Sequence, residues 1–438
     1  DGIVLRGADG AERPVPLAAG AARWAERLNE GLAEQAMAAA GVDVSTAARV
    51  LRLKQRLREH GLLVADLWCA GSRMATLRPH GPAFEPEKAA SRPAGRAGRW
   101  KLSRFAVLHE ENGRLVLECA DTPCDLVVGS DDLLRWIARA AAGTAPRADS
   151  PQGAVMAFLA ATGFARDADE QEPAGLRTWE PHDRWFHYRT RWPSPWREHG
   201  GTYRFRPEEA DEDATKVEAP PAVRPAHRGE RTGLPRHGPT PSMPLRQALE
   251  TRRSRREMGS RPVTAEQVGA LLHQVGRITA RLPGDLLTRP YPAAGAIHEL
   301  ELYVAAGECD GLRAGFYHYR SEAHELTRLR EARSDEAAEA VIAECARAWG
   351  GGGRRPQCVV VIASRLPRLA YKYAAIAYRL SLLNAGAALQ TLCLVAEDLG
   401  LNGAPAGSGR SELFAMATEV PEHEETSIAE FGFGSRPQ

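Results

Sequence analysis

The sequence has almost no net charge. In 438 residues, 57 lysines and arginines face 56 aspartates and glutamates, a formal +1 at neutral pH. The positive field that a dedicated nucleic-acid-binding protein uses to collect phosphates is therefore missing. No uninterrupted apolar run reaches the roughly 18 residues of a membrane-spanning helix, and no charged, apolar, small-residue leader opens the chain, so a cytoplasmic protein with no membrane partner is expected. Paired cysteines are missing too. The seven present (Cys69, Cys119, Cys124, Cys309, Cys345, Cys358 and Cys393) are odd in number, scattered and never spaced as CxxC. That excludes a cysteine-ligated zinc framework and points to reduced thiols. No nicotinamide-binding fingerprint occurs. What is there is ordinary globular composition, 43% hydrophobic with a mean hydropathy of −0.37, at a length sufficient for about three domains.

Hydrophobic periodicity divides the chain. Residues 21–32 and 45–60 read as helices, with Gly61 closing the second. Residues 62–69 and 74–78 then read as strands about a turn at 70–73. Helices followed by a hairpin predict a winged-helix-like unit over 1–98. A second such unit is expected over 99–204. There, strands at 105–109 and 115–119 flank Glu110-Glu111-Asn112-Gly113, whose Asn-Gly step is a hairpin turn signal, and helices follow at 131–142 and 153–164. The aromatic stretch 179–187 at its end is expected to dock on a core. Residues 205–241, rich in proline and charge without apolar periodicity, read as a linker.

Residues 242–438 alternate helices and strands, an α+β pattern. Pro244 opens a short helix, and Thr264 with Gln267 forms a capping box ahead of Val268, Leu271, Leu272 and Val275. Strands are expected at 300–305 and 358–363, and one long apolar helix over 370–399, closed by Gly400. Apolar on more than one face, that helix is also suited to a subunit interface.

Three stretches can carry chemistry. Arg252-Arg253-Ser254-Arg255-Arg256 offers guanidinium forks and a hydroxyl to a phosphate; composition alone does not separate this from a solvated basic run. Arg289-Pro290-Tyr291-Pro292-Ala293-Ala294-Gly295-Ala296 is small enough for its backbone to lie against a flat ligand, or is a plain loop before a strand. Lys372 and Tyr373 stand near the start of the apolar helix, where desolvation would lower the lysine pKa into the range for proton transfer, or where they form a surface pair. His298 and His318 share no helix face with carboxylates at metal spacing, so no metal is expected.

Taken in order, Arg-Arg-Ser-x-Arg, Pro-x-x-Gly before a Leu-Glu-Leu-Tyr strand, Gly-Phe-Tyr-His-Tyr, and Lys-Tyr ahead of a long helix resemble the SagB-type azoline dehydrogenases. These are nitroreductase-like flavoproteins that oxidise thiazolines and oxazolines in ribosomally made peptides. The resemblance covers the chain from about Met243 onward. The Trp-Glu-x-x-Asp-x-x-Phe-His stretch from Trp179 is similar to a segment upstream of that domain in the same family.

The resemblance implies a nitroreductase-like, FMN-binding C-terminal domain. Arg253, Ser254 and Arg256 would hold the phosphate and ribityl chain of FMN. Pro292, Ala293, Ala294 and Gly295 would lie along its ring system, a loop that can come from a second subunit. Gln390 matches a family position on the long helix, Gly407 and Ser408 resemble a turn beside the flavin, and Arg436 is a further phosphate contact. Lys372 and Tyr373 match the pair implicated in catalysis. Ala293, Ala374 and Ala387 depart from the family pattern, which more often has Ser, Gly and a Gly-His pair there.

The implied reaction removes two electrons and two protons from the azoline ring. Lys372 or Tyr373 would take the α-proton and dioxygen would reoxidise the flavin. The implied partners are an azoline-containing precursor peptide, a cyclodehydratase complex and a second copy of the chain. Two rivals are an NAD(P)H-dependent nitroreductase and a flavin-free scaffold of the same fold.

Overall fold

The computed structural model describes residues 2–6, 12–16, 43–60, 62, 64–81, 84, 99–147, 149–206, 217–235, 242–330, 333–351 and 355–438. The chain divides into two compact units, Asp1–Thr202 and Tyr203–Gln438. The helix expected at 21–32 lies outside the described residues.

In the first unit, helix α1 (Val44–Glu59) is opened by Asp43, whose carboxylate accepts from Thr46 N at 3.0 Å. Strand β1 (Ala65–Cys69) turns through Ala70 and Gly71, both at positive φ, into β2 (Ser72–Pro79). Strand β3 (Ala106–Glu111) turns through Asn112 and Gly113, at φ 52° and 75°, into β4 (Arg114–Cys119). Two left-handed residues in succession are what Asn-Gly supplies at low cost.

These hairpins are not in separate units. Strand β5 (Cys124–Val128) pairs with β2 on one side and β4 on the other, giving one antiparallel sheet in the order β1-β2-β5-β4-β3. One core lies against it: Met74, Leu77, Leu117 and Leu126 pack with Leu133 and Ile137 of helix α2 (Asp131–Ala141) and with Val155, Met156 and Leu159 of α3 (Pro151–Ala161). Turn chemistry is local and marks each hairpin; the strand that joins them is a long-range choice that periodicity does not encode. The aromatic stretch forms helix α4 (Pro181–Arg191), which docks by giving donors to a buried carboxylate. Glu118, fully buried, accepts from Trp185 Nε1 at 3.1 Å and from Arg189 at 2.7 Å.

The second unit is a sheet between two helical layers. Its strands are β6 (Arg231–Gly233), β7 (Leu300–Ala306), β8 (Gly315–Arg320), β9 (Glu325–Arg328), β10 (Cys358–Ser364), β11 (Leu401–Ala406) and β12 (Thr426–Ser435), in the antiparallel order β6-β9-β8-β7-β10-β12-β11. The central strands β7 and β10 are buried along their whole length. Their alternation feeds two cores. Leu300, Leu302, Val304, Cys358, Val360 and Ile362 face the helices α6 (Ala265–Gly276) and α8 (Ala377–Asp398). Tyr303, Ala305, Val359 and Val361 face α7 (Ser334–Ala348) and α9 (Ser411–Thr418). The Thr264–Gln267 capping box is present at the start of α6.

Two expectations are corrected. The proline-rich stretch is not a spacer throughout, because residues 217–235 pack into the second unit. Arg365 and Arg368 donate to the carbonyls of Pro221 and Pro220 at 2.8 and 2.6 Å, Ala222 N donates to Asp285 at 2.6 Å, and β6 is a sheet edge. Proline loses its donor but keeps its acceptor, so such a stretch can still be tied down by arginines. The long helix starts at Ala377 rather than near 370. Ala375 takes a left-handed φ of 60°, which interrupts the α-helical path between the short strand Tyr373–Ala374 and α8. By composition α8 is long and apolar enough to cross a bilayer, with a hydropathy of 1.4 over its most apolar window. Its buried face is nonetheless spent on the sheet and on α6.

Candidate functional site

The link before α8, with its short strand Tyr373–Ala374, carries Lys372 and Tyr373 to the loop that precedes β7. At Gly295, φ is 57°, and a Cβ built there would stand 2.6 Å from the Tyr373 hydroxyl and 2.8 Å from Lys372 Nζ. The amine and the phenol therefore converge on one glycine, and only a residue without a side chain leaves room for both. The loop itself is fastened to α8, since Ala294 N donates to Asn384 Oδ1 at 3.1 Å. The amide of Asn384 in turn donates to both carboxylate oxygens of the fully buried Glu299 at 3.0 Å. Pro292, Ala293, Ala294 and Gly295 are thus brought together with Lys372 and Tyr373.

Electrostatics correct one expectation. The Tyr203 hydroxyl outweighs burial, which works to lower the Lys372 pKa. Its interaction with the amine, more than the charge of Tyr373, raises that pKa above the ordinary lysine value and keeps the group an ammonium. Nearby, burial first and then the charges of Arg289 and Arg368 push His298 down to about 4, so it is neutral at physiological pH. Burial works against ionised Glu301, but His318, Arg289 and Arg365 outweigh it and hold that carboxyl at about 2.

A second cluster forms at the other end of α8. Glu397 accepts from Arg255 and, at 2.9 Å, from Arg436. The arginine stretch is laid along the sheet end by backbone contacts: Arg255 N donates to Gly403 O at 3.2 Å, and Gly259 N to Ser435 O at 2.9 Å. Arg253 and Ser254 are exposed, and Arg253 donates to the carbonyls of Glu250 and Arg252. Arg256 is half-buried, and Arg436 Nε is buried without a hydrogen-bond partner among the described residues. Glu397 is thus shared by Arg255 and Arg436, with Arg253, Ser254 and Arg256 in the same stretch of chain. That donor set fits a phosphate group.

The remaining expected residues are spread out. Gln390 is exposed on α8, in a stripe with Tyr378, Leu382 and Gly386. Gly407 and Ser408 are exposed, and Ser408 lines a shallow cleft with Glu344, Cys345 and Glu430, on the α7/α9 side of the sheet. Sequence reasoning missed Asn384, Glu299 and Glu397. Asn384 had a signal: a carboxamide in an otherwise apolar helix must find a partner.

Comparison with known proteins decides the kinship. The family model "Nitroreductase family" matches residues 249–434, and the model "Cyanobactin oxidase ThcOx" matches residues 100–193. The chain carries a nitroreductase-family domain and a cyanobactin-oxidase segment. This bears out the resemblance to the SagB-type proteins, and the α+β class holds. The matched residues 249–434 hold both clusters described above except Arg436, which follows them. A candidate nitroreductase of Methanocaldococcus jannaschii is 28% identical over 165 residues, 37% of this chain and 78% of that protein. Among solved structures, a candidate nitroreductase of Anabaena variabilis is similar over 91% of this chain and 90% of its own, with 15% identity and a TM-score of 0.40. An Escherichia coli microcin synthetase complex with a truncated precursor bound is similar over 47% of this chain and 79% of its own, with 20% identity and a TM-score of 0.34.

Proposed function

We propose that the protein is an FMN-dependent dehydrogenase that oxidises thiazolines or oxazolines in a ribosomally made peptide to the aromatic azoles, within a nitroreductase-like domain. The observation that carries this reading is the convergence of Lys372 Nζ and Tyr373 OH on Gly295, in the loop that Asn384 ties to the long helix.

The residues present fit FMN at both ends. Arg253, Ser254, Arg256 and the unpartnered Arg436 Nε would hold the phosphate, and the side-chain-poor run from Pro292 to Gly295 would leave a face for the ring system. Bound there, FMN supplies the two-electron acceptor that aromatising an azoline requires. The protein supplies the proton chemistry. Because the Lys372 pKa is raised, the α-proton would pass to the Tyr373 oxygen in its deprotonated form, with Lys372 orienting that oxygen.

The two clusters meet α8 at residues 384 and 397, about 20 Å apart along its axis at 1.5 Å per residue. A second copy of the chain, its α8 antiparallel to the first, would bring the arginine end of one beside the loop end of the other. Exposed Tyr378, Leu382 and Leu383 on α8 and Leu245 and Leu249 on α5 (Leu245–Thr251) offer the apolar face for such a homodimer. The first unit is proposed to help hold the precursor peptide or its cyclodehydratase.

The test is a pair of variants, Lys372→Ala and Tyr373→Phe, assayed on a thiazoline-bearing peptide by mass spectrometry. Both should keep the flavin absorbance of the wild type and lose the removal of two hydrogens per ring. Full turnover in both would sink the assignment.

A further inference from the structure

One aromatic side chain next to Lys372 has no role in the scheme above. Tyr203 is the first residue of the second unit, far in sequence from the rest of the site, and it is held against the Lys372 segment by several independent contacts. Its backbone N donates to Lys372 O at 3.2 Å. Lys372 Nζ lies 5.1 Å from the centroid of its ring and 5.2 Å from that of Tyr373, so the ammonium stands between two phenols. Tyr203 also sits at a φ of 54°, a left-handed conformation that is strained for a bulky residue and persists only when its surroundings impose it.

Those surroundings are visible. Arg206 N donates to Tyr203 O at 2.8 Å, closing a turn, and the Arg206 guanidinium lies 3.7 Å from the centroid of the Tyr203 ring. The same strap is pinned once more where Tyr371 OH donates to Phe205 O at 3.3 Å, with the two rings 6.1 Å apart. Residues 203–206 are thus folded onto residues 371–373.

Lysine is scarce in this chain: of its 57 basic residues only five are lysines, at 54, 88, 101, 216 and 372. An arginine would keep the charge, but its planar fork could not sit as a compact point charge between two rings in the same way.

We propose that Tyr203 is a positioning residue of the site, whose hydroxyl and ring fix the Lys372 ammonium beside Tyr373 and the Gly295 loop. The inference rests on the reading that Lys372 and Tyr373 serve the chemistry, but it concerns the lysine itself and can be read without turnover. Among the described residues, the titratable and charged groups facing Lys372 are Tyr203, with Arg206 stacked on it, and Tyr373. Removing the Tyr203 hydroxyl takes away the partner that most favours the charged amine.

The experiment is trace acetylation of the full-length protein with acetic anhydride over a pH series, read by mass spectrometry, with exposed Lys101 as internal reference. Only the neutral amine reacts. Tyr203→Phe should move the midpoint of Lys372 labelling to lower pH, raising its rate below the midpoint about threefold relative to Lys101, the scale of one charge-assisted hydrogen bond discounted for partial exposure. Arg206→Ala, which keeps the hydroxyl but unstacks the ring, should move it the same way by less. A change in labelling amplitude with an unmoved midpoint in both variants would mean that Tyr203 only shields the lysine, and would overturn the proposal. The catalytic reading fails separately, by full turnover in Lys372→Ala, whichever way the labelling falls.

Discussion

Asn384 of the long helix hydrogen-bonds both carboxylate oxygens of Glu299 at 3.0 Å, while its carbonyl oxygen holds the Ala294 amide at 3.1 Å. One carboxamide thus neutralises the donor need of a buried acid and anchors the loop that faces Lys372 and Tyr373. Burial raises the Glu299 pKa, and the Asn384 hydrogen bonds pull it back. Asn384→Ala should therefore cost about 3 kcal/mol in urea unfolding, because it leaves a carboxylate and an amide unpaired inside. With the folded pKa raised further above the unfolded value, that loss should grow as pH rises above the ordinary carboxyl range. Glu299→Gln in the Asn384→Ala background should recover part of it.

Gly295→Ala places a methyl group where the Tyr373 hydroxyl and the Lys372 amine now stand, at a left-handed φ. The strain alone is about 1 kcal/mol, so the fold should survive with a small fall in melting temperature. Turnover should fall at least as far as in Tyr373→Phe, because both groups must move.

The charge cluster at the far end of α8 makes a prediction about the cofactor. Arg256→Ala and Arg436→Ala should each weaken FMN retention about tenfold or more, measured by fluorescence of released flavin during dialysis, since each removes a charge-assisted contact to a phosphate. Glu397→Gln should tighten retention, because that carboxylate now neutralises Arg255 and Arg436.

Histidines set the acid limit. Burial holds His298 at about 4 and His227 at about 3, both below the ordinary value of 6.5. Groups depressed in this way give stability that is complete above 6.5 and lost as pH falls toward the folded values. The melting temperature should decline from 6.5 down to about 4, and His298→Gln should flatten that decline.

Much of this was legible in the sequence where the signal is local. The Asn112-Gly113 turn, the Thr264 capping box and the two-sided apolar strands at 300–306 and 358–364 occur as patterning implies. Long-range pairings were not legible. Nothing near β5 says that it bridges two hairpins, and nothing in the composition of residues 217–235 says that Arg365 and Arg368 will take up the proline carbonyls. Lys372 and Tyr373 stand out as chemistry-bearing types, but the left-handed Ala375 that detaches them from the helix has no residue signature. The sign of the Lys372 shift was misread for the same reason. Its dominant partner, Tyr203, lies 169 residues away.

The most direct measurement mixes the flavin-loaded protein, without oxygen, with one equivalent of a thiazoline-bearing peptide, and follows visible flavin absorbance together with peptide mass. The proposed function predicts loss of the flavin band at the same rate as the peptide loses two hydrogens, with no nicotinamide present. An unchanged band with an unchanged peptide, together with rapid bleaching by NADPH, would contradict it.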